Sequence, residues 1–375
     1  MKVLFSGNHA MASQAREIYA LIRKNGPATR QSLCQQLSQP ATTVSRALDR
    51  LILAGLISES GLADSSGGRR PILYQTIGTS YYLLGLDLAA GLGQLVLTDL
   101  DLQVAAICQL EDLAGQSAEK QAALVGAACT SLLEQIQITP EKILGLGVAL
   151  PESGEPEPIS AAMVSQVAAS LQVPLFQANG VQAIGSLARW RHEALPGNGF
   201  LELCVSRQVQ LRLVLDGWVP AVIPPAERTS QMVVPAPDRS AGSDNRGTLA
   251  GLASQTSILQ RFRRVKDNPD LTWADFCQAV QAGKRKSGQI LLEAAEAMAI
   301  AVYNASLLTG CSNLILDGSL WLDLPESIQA LQDKLAEIQA ADAPALEVQV
   351  VRPESSQRAA GAAALVLEYF LGESL

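Results

Sequence analysis

The chain is poor in the residues that most catalytic and metal centres need. Only two histidines, His9 and His192, occur in 375 residues, so neither a histidine-based catalytic site nor a His/Cys metal cluster is expected. The six cysteines (Cys34, Cys108, Cys129, Cys204, Cys277 and Cys311) are scattered, and no two form a Cys-x-x-Cys pair. That scatter predicts reduced, mostly buried thiols of a cytoplasmic protein rather than a disulfide framework. No apolar run reaches the ~18 residues of a membrane-spanning helix, so no membrane partner is expected. The opening MKVLFSGNHAM lacks the apolar centre of a signal peptide. Charged residues are only 17% against 48% apolar, which argues against disorder and for a large buried core. The length suggests two or three domains.

The charge is unevenly spread. Residues 1–75 hold nine Lys/Arg and four Asp/Glu, a balance of +5; the remainder holds nineteen and thirty-two, or −13, which together give −8. A basic leading module on an acidic body suits contact with nucleic acid through the first part only.

That first part contains TRQSLCQQLSQPATTVSRALDRLILAGLI, residues 29–57. Leu33 and Leu37 recur at helical spacing, as do Val44, Leu48, Leu51 and Ile52, and Ser38 to Pro40 breaks the pattern between them. Two short helices so closely joined predict a helix-turn-helix. The second helix opens on Thr42, Thr43, Ser45 and Arg46, small and polar groups that let a backbone approach base edges. An earlier helix is expected over Ala15–Lys24, after a loose arm of residues 1–12, and Thr29 is placed to cap the next. Leu56–Glu59 and Arg69–Tyr74 read as a strand pair around the flexible tip Gly61–Gly68. Three helices and a hairpin make a winged helix, whose Arg69 and Arg70 would enter a minor groove. An ordinary helical hairpin and a surface charge pair are the plain alternatives.

From Tyr82 the pattern changes to consecutive apolar strands, a helix over Ser117–Ile136 and a buried strand over Ile143–Ala149, an α/β order. LGLDLAAGLGQLVLTDLD, ILGLGVALPESG, PLFQANGVQAIGSLARW, LVLDGWV, NLILDGSL and AAGAAALVLE then occur in an order that resembles the ROK family of bacterial repressors and sugar kinases. The resemblance implies an amino-terminal winged helix-turn-helix over residues 1–78. An actin-like, ribonuclease H-like, two-lobed fold of the sugar-kinase ATPase type would follow over 79–375. One lobe would comprise about 79–178 plus the carboxyl-terminal helix, the other 179–355.

Against the family pattern the chemistry is eroded. The catalytic Asp that would follow Asn179 is Gly180, which cannot accept a proton. Asp87-Leu88-Ala89-Ala90-Gly91 carries side chains where the first phosphate loop has glycines, and Ser206–Arg212 does so in the second. The family's zinc ligands fall on Gln231, Ala241, Ser243 and Thr248, so no zinc and no other cofactor are expected. No catalytic residues remain. Asn179, Glu227, Arg228 and Gln231 match sugar-contacting positions, and Arg228 favours an anionic ligand such as a sugar phosphate; a turn at Asn179-Gly180, a surface arginine and an empty, vestigial cleft are the plain alternatives.

The resulting expectation is a repressor of carbohydrate-related genes, a homodimer or homotetramer on double-stranded, palindromic operator DNA. A sugar or sugar phosphate would be its effector. A sugar kinase with an extra domain and a ligand-independent interaction scaffold are the competing readings.

Overall fold

Ala15, Ile18, Tyr19 and Ile22 share one face of the first helix, and their burial organises the amino-terminal module. In the computed structural model α1 spans His9–Asn25, followed by β1 (Ala28–Thr29), α2 (Arg30–Leu37), α3 (Ala41–Leu53), β2 (Ile57–Leu62) and β3 (Ile72–Thr76). The structure describes residues 9–62, 70–88, 93–111, 113, 115–150, 161–191, 199–215, 226–235, 247–339, 346–351 and 356–371. α1 therefore begins within the expected loose arm: once nucleated, a helix propagates on backbone hydrogen bonds without needing an apolar face. Leu33, Val44, Leu48 and Leu51 are buried as their spacing requires, but Ile52 is 39% exposed and Ala47 takes its place. The three strands pair in the order β1-β3-β2, completing a winged helix. The tip, residues 63–69, lies outside the described residues.

Two compact units divide the whole chain. The first comprises Met1–Pro151, Glu157–Glu193 and Ser356–Leu375; the second comprises Glu152–Pro156 and Ala194–Ser355. In the first unit, β4 (Tyr82–Asp87), β5 (Gly93–Asp99), β6 (Val104–Leu110), β7 (Ile143–Leu150) and β8 (Leu175–Asn179) form a sheet ordered β6-β5-β4-β7-β8. β4 pairs antiparallel with β5 and parallel with β7. Helices α4 (Ala118–Gln135), α5 (Ala161–Ser170) and α6 (Gly180–Arg191) accompany it.

Period-two alternation sorts the two central strands. Leu84 and Leu86 of β4 and Leu146 and Val148 of β7 join the core that contains α4 and α5. Gly85 and Gly147 stand at alternate positions, and a Cβ added at either would collide with the carbonyl oxygens of Ala359 or Ala362. Both carbonyls belong to the last helix, residues Gln357–Leu371, which those glycines admit against the sheet backbone. Its Gly361 meets Ala183 of α6 equally closely. α6 thus packs inside the first unit, not in the second as the sequence division at residue 179 had it. The reason is tertiary: the last helix, distant in sequence, meets α6 at Gly361 and takes Ser186 and Trp190 on its Glu368.

The second unit holds β9 (Gly199–Val205), β10 (Val209–Leu215), β11 (Asn313–Asp317) and β12 (Glu347–Val350), ordered β10-β9-β11-β12. Its helices are α7 (Ala226–Thr229), α8 (Leu249–Ala253), α9 (Gln255–Lys266), α10 (Trp273–Gln281), α11 (Arg285–Thr309), α12 (Ser319–Asp323) and α13 (Glu326–Ile338), and Gln357–Leu371 of the first unit is α14. α11 is long and apolar enough to cross a membrane, but half of its most apolar stretch is buried, with Ala294, Ala295, Met298 and Val302 in the unit's core.

Two outcomes test this packing. Gly85→Ala should cost about 3 kcal/mol, the upper range for overpacking, as read by urea denaturation; an unchanged midpoint would mean that α14 does not lie on β4. Burial holds the Cys129 thiol up at about 12 and the Cys277 thiol, raised also by Asp323 and Glu326, at about 11. Maleimide on the native chain at neutral pH should therefore reach half-buried Cys34 and Cys108 before either, as mapped by peptide mass.

Candidate nucleic-acid interface and ligand positions

The helix-turn-helix is locally encoded. Thr29 and Ser32 form a reciprocal capping box at the start of α2: Thr29 Oγ1 accepts the Ser32 amide at 3.1 Å, and Ser32 Oγ accepts the Thr29 amide at 3.1 Å. Ser38 ends α2 in the left-handed conformation, with φ 51°, and the Gln39 amide donates back to the Cys34 carbonyl at 3.1 Å. Pro40 is the N-cap of α3 and supplies no side-chain cap; its carbonyl accepts the Thr43 and Val44 amides at 3.0 and 3.1 Å, and no cap side chain takes the Ala41 and Thr42 amides.

Thr42 and Arg46 are exposed, and Thr43 and Ser45 are half-buried on the same helix whose Val44, Ala47, Leu48 and Leu51 are buried. All four expected α3 residues therefore lie on one outward edge. The structure adds Arg30, exposed at the start of α2, whose Nη1 donates to Ser45 Oγ at 3.2 Å. Sequence spacing missed it because residues fifteen apart meet only once the two helices cross; a basic residue opening α2 was its one local signal. Arg70 is exposed beside β3, whereas Arg69 lies outside the described residues. Exposed cations and hydroxyls around an open helix start can hold phosphates and read base edges.

The other expected positions are separated between the units. In the first, half-buried Asn179 caps α6: Oδ1 accepts the Gln182 amide at 2.9 Å, and Gln182 Oε1 accepts the Asn179 amide at 3.2 Å. In the second, Arg228 is exposed on α7, and Gln231 is exposed, its amide donating to Ser230 Oγ at 3.4 Å. The side chain of Glu227 lies outside the described residues. At the zinc positions, Thr248 Oγ1 caps α8 by accepting the Gly251 amide at 3.1 Å. Ala241 and Ser243 lie outside the described residues, but the flanks of their loop are joined by Val234 N–H to Gly247 O at 2.7 Å and Leu249 N–H to Met232 O at 2.9 Å. Among the described residues no group of three or more His, Cys, Asp and Glu could hold a metal ion.

Of the first phosphate-loop match, residues 89–91 lie outside the described residues; Asp87 beside it and Arg212 of the second match are each paired with another charged side chain. Asp87 closes β4 on the side facing α14, and its Oδ2 accepts from Arg358 Nε at 3.0 Å, with the residues only 7% and 8% exposed. In the second unit Arg212 is not free for an anion: it pairs with fully buried Glu202 across the β9/β10 ladder, Nη1 to Oε2 3.0 Å, and also donates to Gln210. Ser206 Oγ accepts the Ser319 amide at 3.2 Å, and Thr256 Oγ1 donates to the Arg207 carbonyl at 2.9 Å, tying that turn to α12 and α9.

Comparison with known proteins agrees with this architecture. The winged helix-turn-helix DNA-binding family matches residues 11–58, and the ROK family matches residues 234–369. The xylose repressor of Caldicellulosiruptor bescii is 24% identical over 324 residues, which cover 80% of this chain and 81% of the relative. The xylose repressor of Bacillus subtilis is 27% identical over 130 residues, covering 35% and 34%. Among solved structures, a ROK family transcriptional regulator, homologous to the Escherichia coli MLC protein, superposes with a TM-score of 0.65 at 16% identity, covering 98% of this chain and 100% of that one. The ROK hexokinase of Thermus thermophilus superposes with a TM-score of 0.57 at 18% identity, covering 76% and 97%. The chain thus combines an amino-terminal match to the winged helix-turn-helix DNA-binding family with a ROK family match over residues 234–369, on a fold shared with a ROK regulator and a ROK hexokinase.

Proposed function

We propose that this protein is a DNA-binding transcriptional repressor of carbohydrate-related genes, acting in the cytoplasm as a homodimer or homotetramer on a palindromic operator. The observation that carries this reading is the outward edge of α3, where Thr42, Thr43, Ser45 and Arg46 stand together with Arg30 beside an uncapped helix start. One such edge covers a single half-site, so a palindrome calls for at least two chains. Repressors for xylose are among its relatives, which supports a sugar-responsive role.

The body is read as non-enzymatic and free of zinc. Supporting this, Gly180 offers no base beside Asn179, and the Asp87 carboxylate is engaged by a buried guanidinium rather than open to a metal-nucleotide. Kinases share the fold, but fold alone carries no chemistry. Asn179, Glu227, Arg228 and Gln231 are the effector positions, for a sugar or sugar phosphate.

Titration of the protein with its own upstream intergenic DNA across a salt series tests the first part. Binding of nanomolar order is expected, falling steeply with salt because lysines and arginines release counterions. Arg46→Ala should cost about 1–3 kcal/mol, and Arg69→Ala/Arg70→Ala should also flatten the salt slope. Binding no better than to random DNA would sink the regulator reading and turn attention to the acidic body as a protein-docking surface. In the same titration xylose, then sugar phosphates, should weaken binding, and Arg228→Ala should blunt the response to the phosphates. If none shifts the curve or binds by calorimetry, the effector part is wrong.

A further inference from the structure

The winged helix is not tethered to the body by a bare linker; it is joined to the first lobe through one buried cation. Arg23 lies in the last turn of α1, and its side chain is only 4% exposed. Its Nε donates to the Leu100 carbonyl at 3.0 Å and lies 3.6 Å from Asp101 Oδ1, in the turn between β5 and β6. Its Nη1 donates to the Trp190 carbonyl near the end of α6, and its guanidinium sits 5.7 Å from the centre of the Trp190 ring. The receiving surfaces are themselves held. Asp99 Oδ1 accepts the Asp101 and Gln103 amides at 3.0 and 2.8 Å, fixing the turn. Trp190 Nε1 donates at 3.1 Å to buried Glu368 of α14, which also takes the Ser186 hydroxyl. Burial lowers the Arg23 pKa, opposed by the carboxylates of Asp101 and Asp99. A guanidinium so buried is tolerable only because its donors meet acceptors, and all of those acceptors belong to the body.

The geometry points to Arg23 as the positioning residue of the DNA-reading head: it welds α1 to α6 and to the β5/β6 turn, and so fixes the direction in which α3 meets an operator. The inference rests on the regulator reading for its consequence, but the weld itself does not. At its other end α6 is capped by Asn179, one of the effector positions, about 17 Å away at 1.5 Å per residue. A single helix thus spans from an effector position to the head.

The test uses the full chain carrying Arg23→Ala, Arg23→Lys or Tyr19→Phe. The last removes only a buried hydroxyl with no hydrogen-bond partner, and so controls for packing. Circular dichroism checks that each variant folds, and hydrogen exchange reads the amides of residues 100–103 and of the adjoining ends of α1 and α6. DNA titrations compare the whole upstream site with a single half-site. For Arg23→Ala we expect faster exchange at those amides. We also expect roughly tenfold or greater loss on the whole site, part of the avidity of simultaneous engagement, against little change on the half-site. Arg23→Lys, which keeps the charge but loses the fork, should fall between, and Tyr19→Phe should match the wild type. Equal losses on whole and half sites, or no loss at all, would overturn the positioning role. If the wild type binds no DNA, the regulator reading fails by itself, and exchange then decides the weld: faster exchange sustains it, unchanged exchange overturns it.

Discussion

The first unit depends on one close approach, the seating of α14 directly on the backbones of β4, β7 and α6. Gly85, Gly147 and Gly361 make it possible, because a methyl group at any of them would meet a carbonyl oxygen on the facing element. Around these glycines the helix is lined with alanines, and Ala359, Ala360, Ala362, Ala363 and Ala364 are all fully buried. Small residues contribute little apolar area each, yet they bring polar backbones into dense contact and cost almost no side-chain entropy. One short helix from the end of the chain thereby closes a sheet formed some 200 residues earlier.

That seating also decides where two charged groups of α14 come to lie. Arg358 reaches Asp87 at the end of β4, because Leu83, Gly85 and Asp87 share the strand face turned to the helix. Three turns later Glu368 receives Ser186 and Trp190 of α6 and lies 3.7 Å from Arg189. Beyond it Phe370 and Leu371 join Ile18, Ile22 and Trp190 in one apolar cluster that runs from the winged helix into the body. Removing one partner from a buried pair strands the other, a loss of about 3–5 kcal/mol, so such pairs hold their elements in a fixed arrangement even where they add little net stability. In the proposed reading, two charged groups at the matches to a sugar kinase's phosphate loops are each paired within the protein, Asp87 with Arg358 and Arg212 with Glu202.

Much of the amino-terminal module was legible in the sequence because its signals are local. Thr29, Pro40 and the spacing of Leu33, Val44, Leu48 and Leu51 act within one or two turns, and each appears in the structure where the pattern put it. Ile52 failed because a helix stripe read on a wheel is wider than the surface its neighbours cover. Asn179 was legible as a residue but ambiguous as a role; its side chain closes a helix cap, a role a sugar contact would have to share. Arg30, Arg23 and Arg358 carried no signal in spacing, since their partners lie 15, 77 or more, and 271 residues away.

What the sequence by itself determined was the kind of elements: a basic helix-turn-helix followed by strands and helices in a fixed order. These are one-dimensional properties, set by periodicity, capping and residue type. Only the tertiary structure decided that α6 belongs to the first unit, that Asp87 is neutralised by the last helix, and that the winged helix shares a buried cation with the body. Each of those facts is a meeting of residues far apart in the chain, fixed by which small side chains allow two backbones to touch, and no local pattern records which pairs will meet.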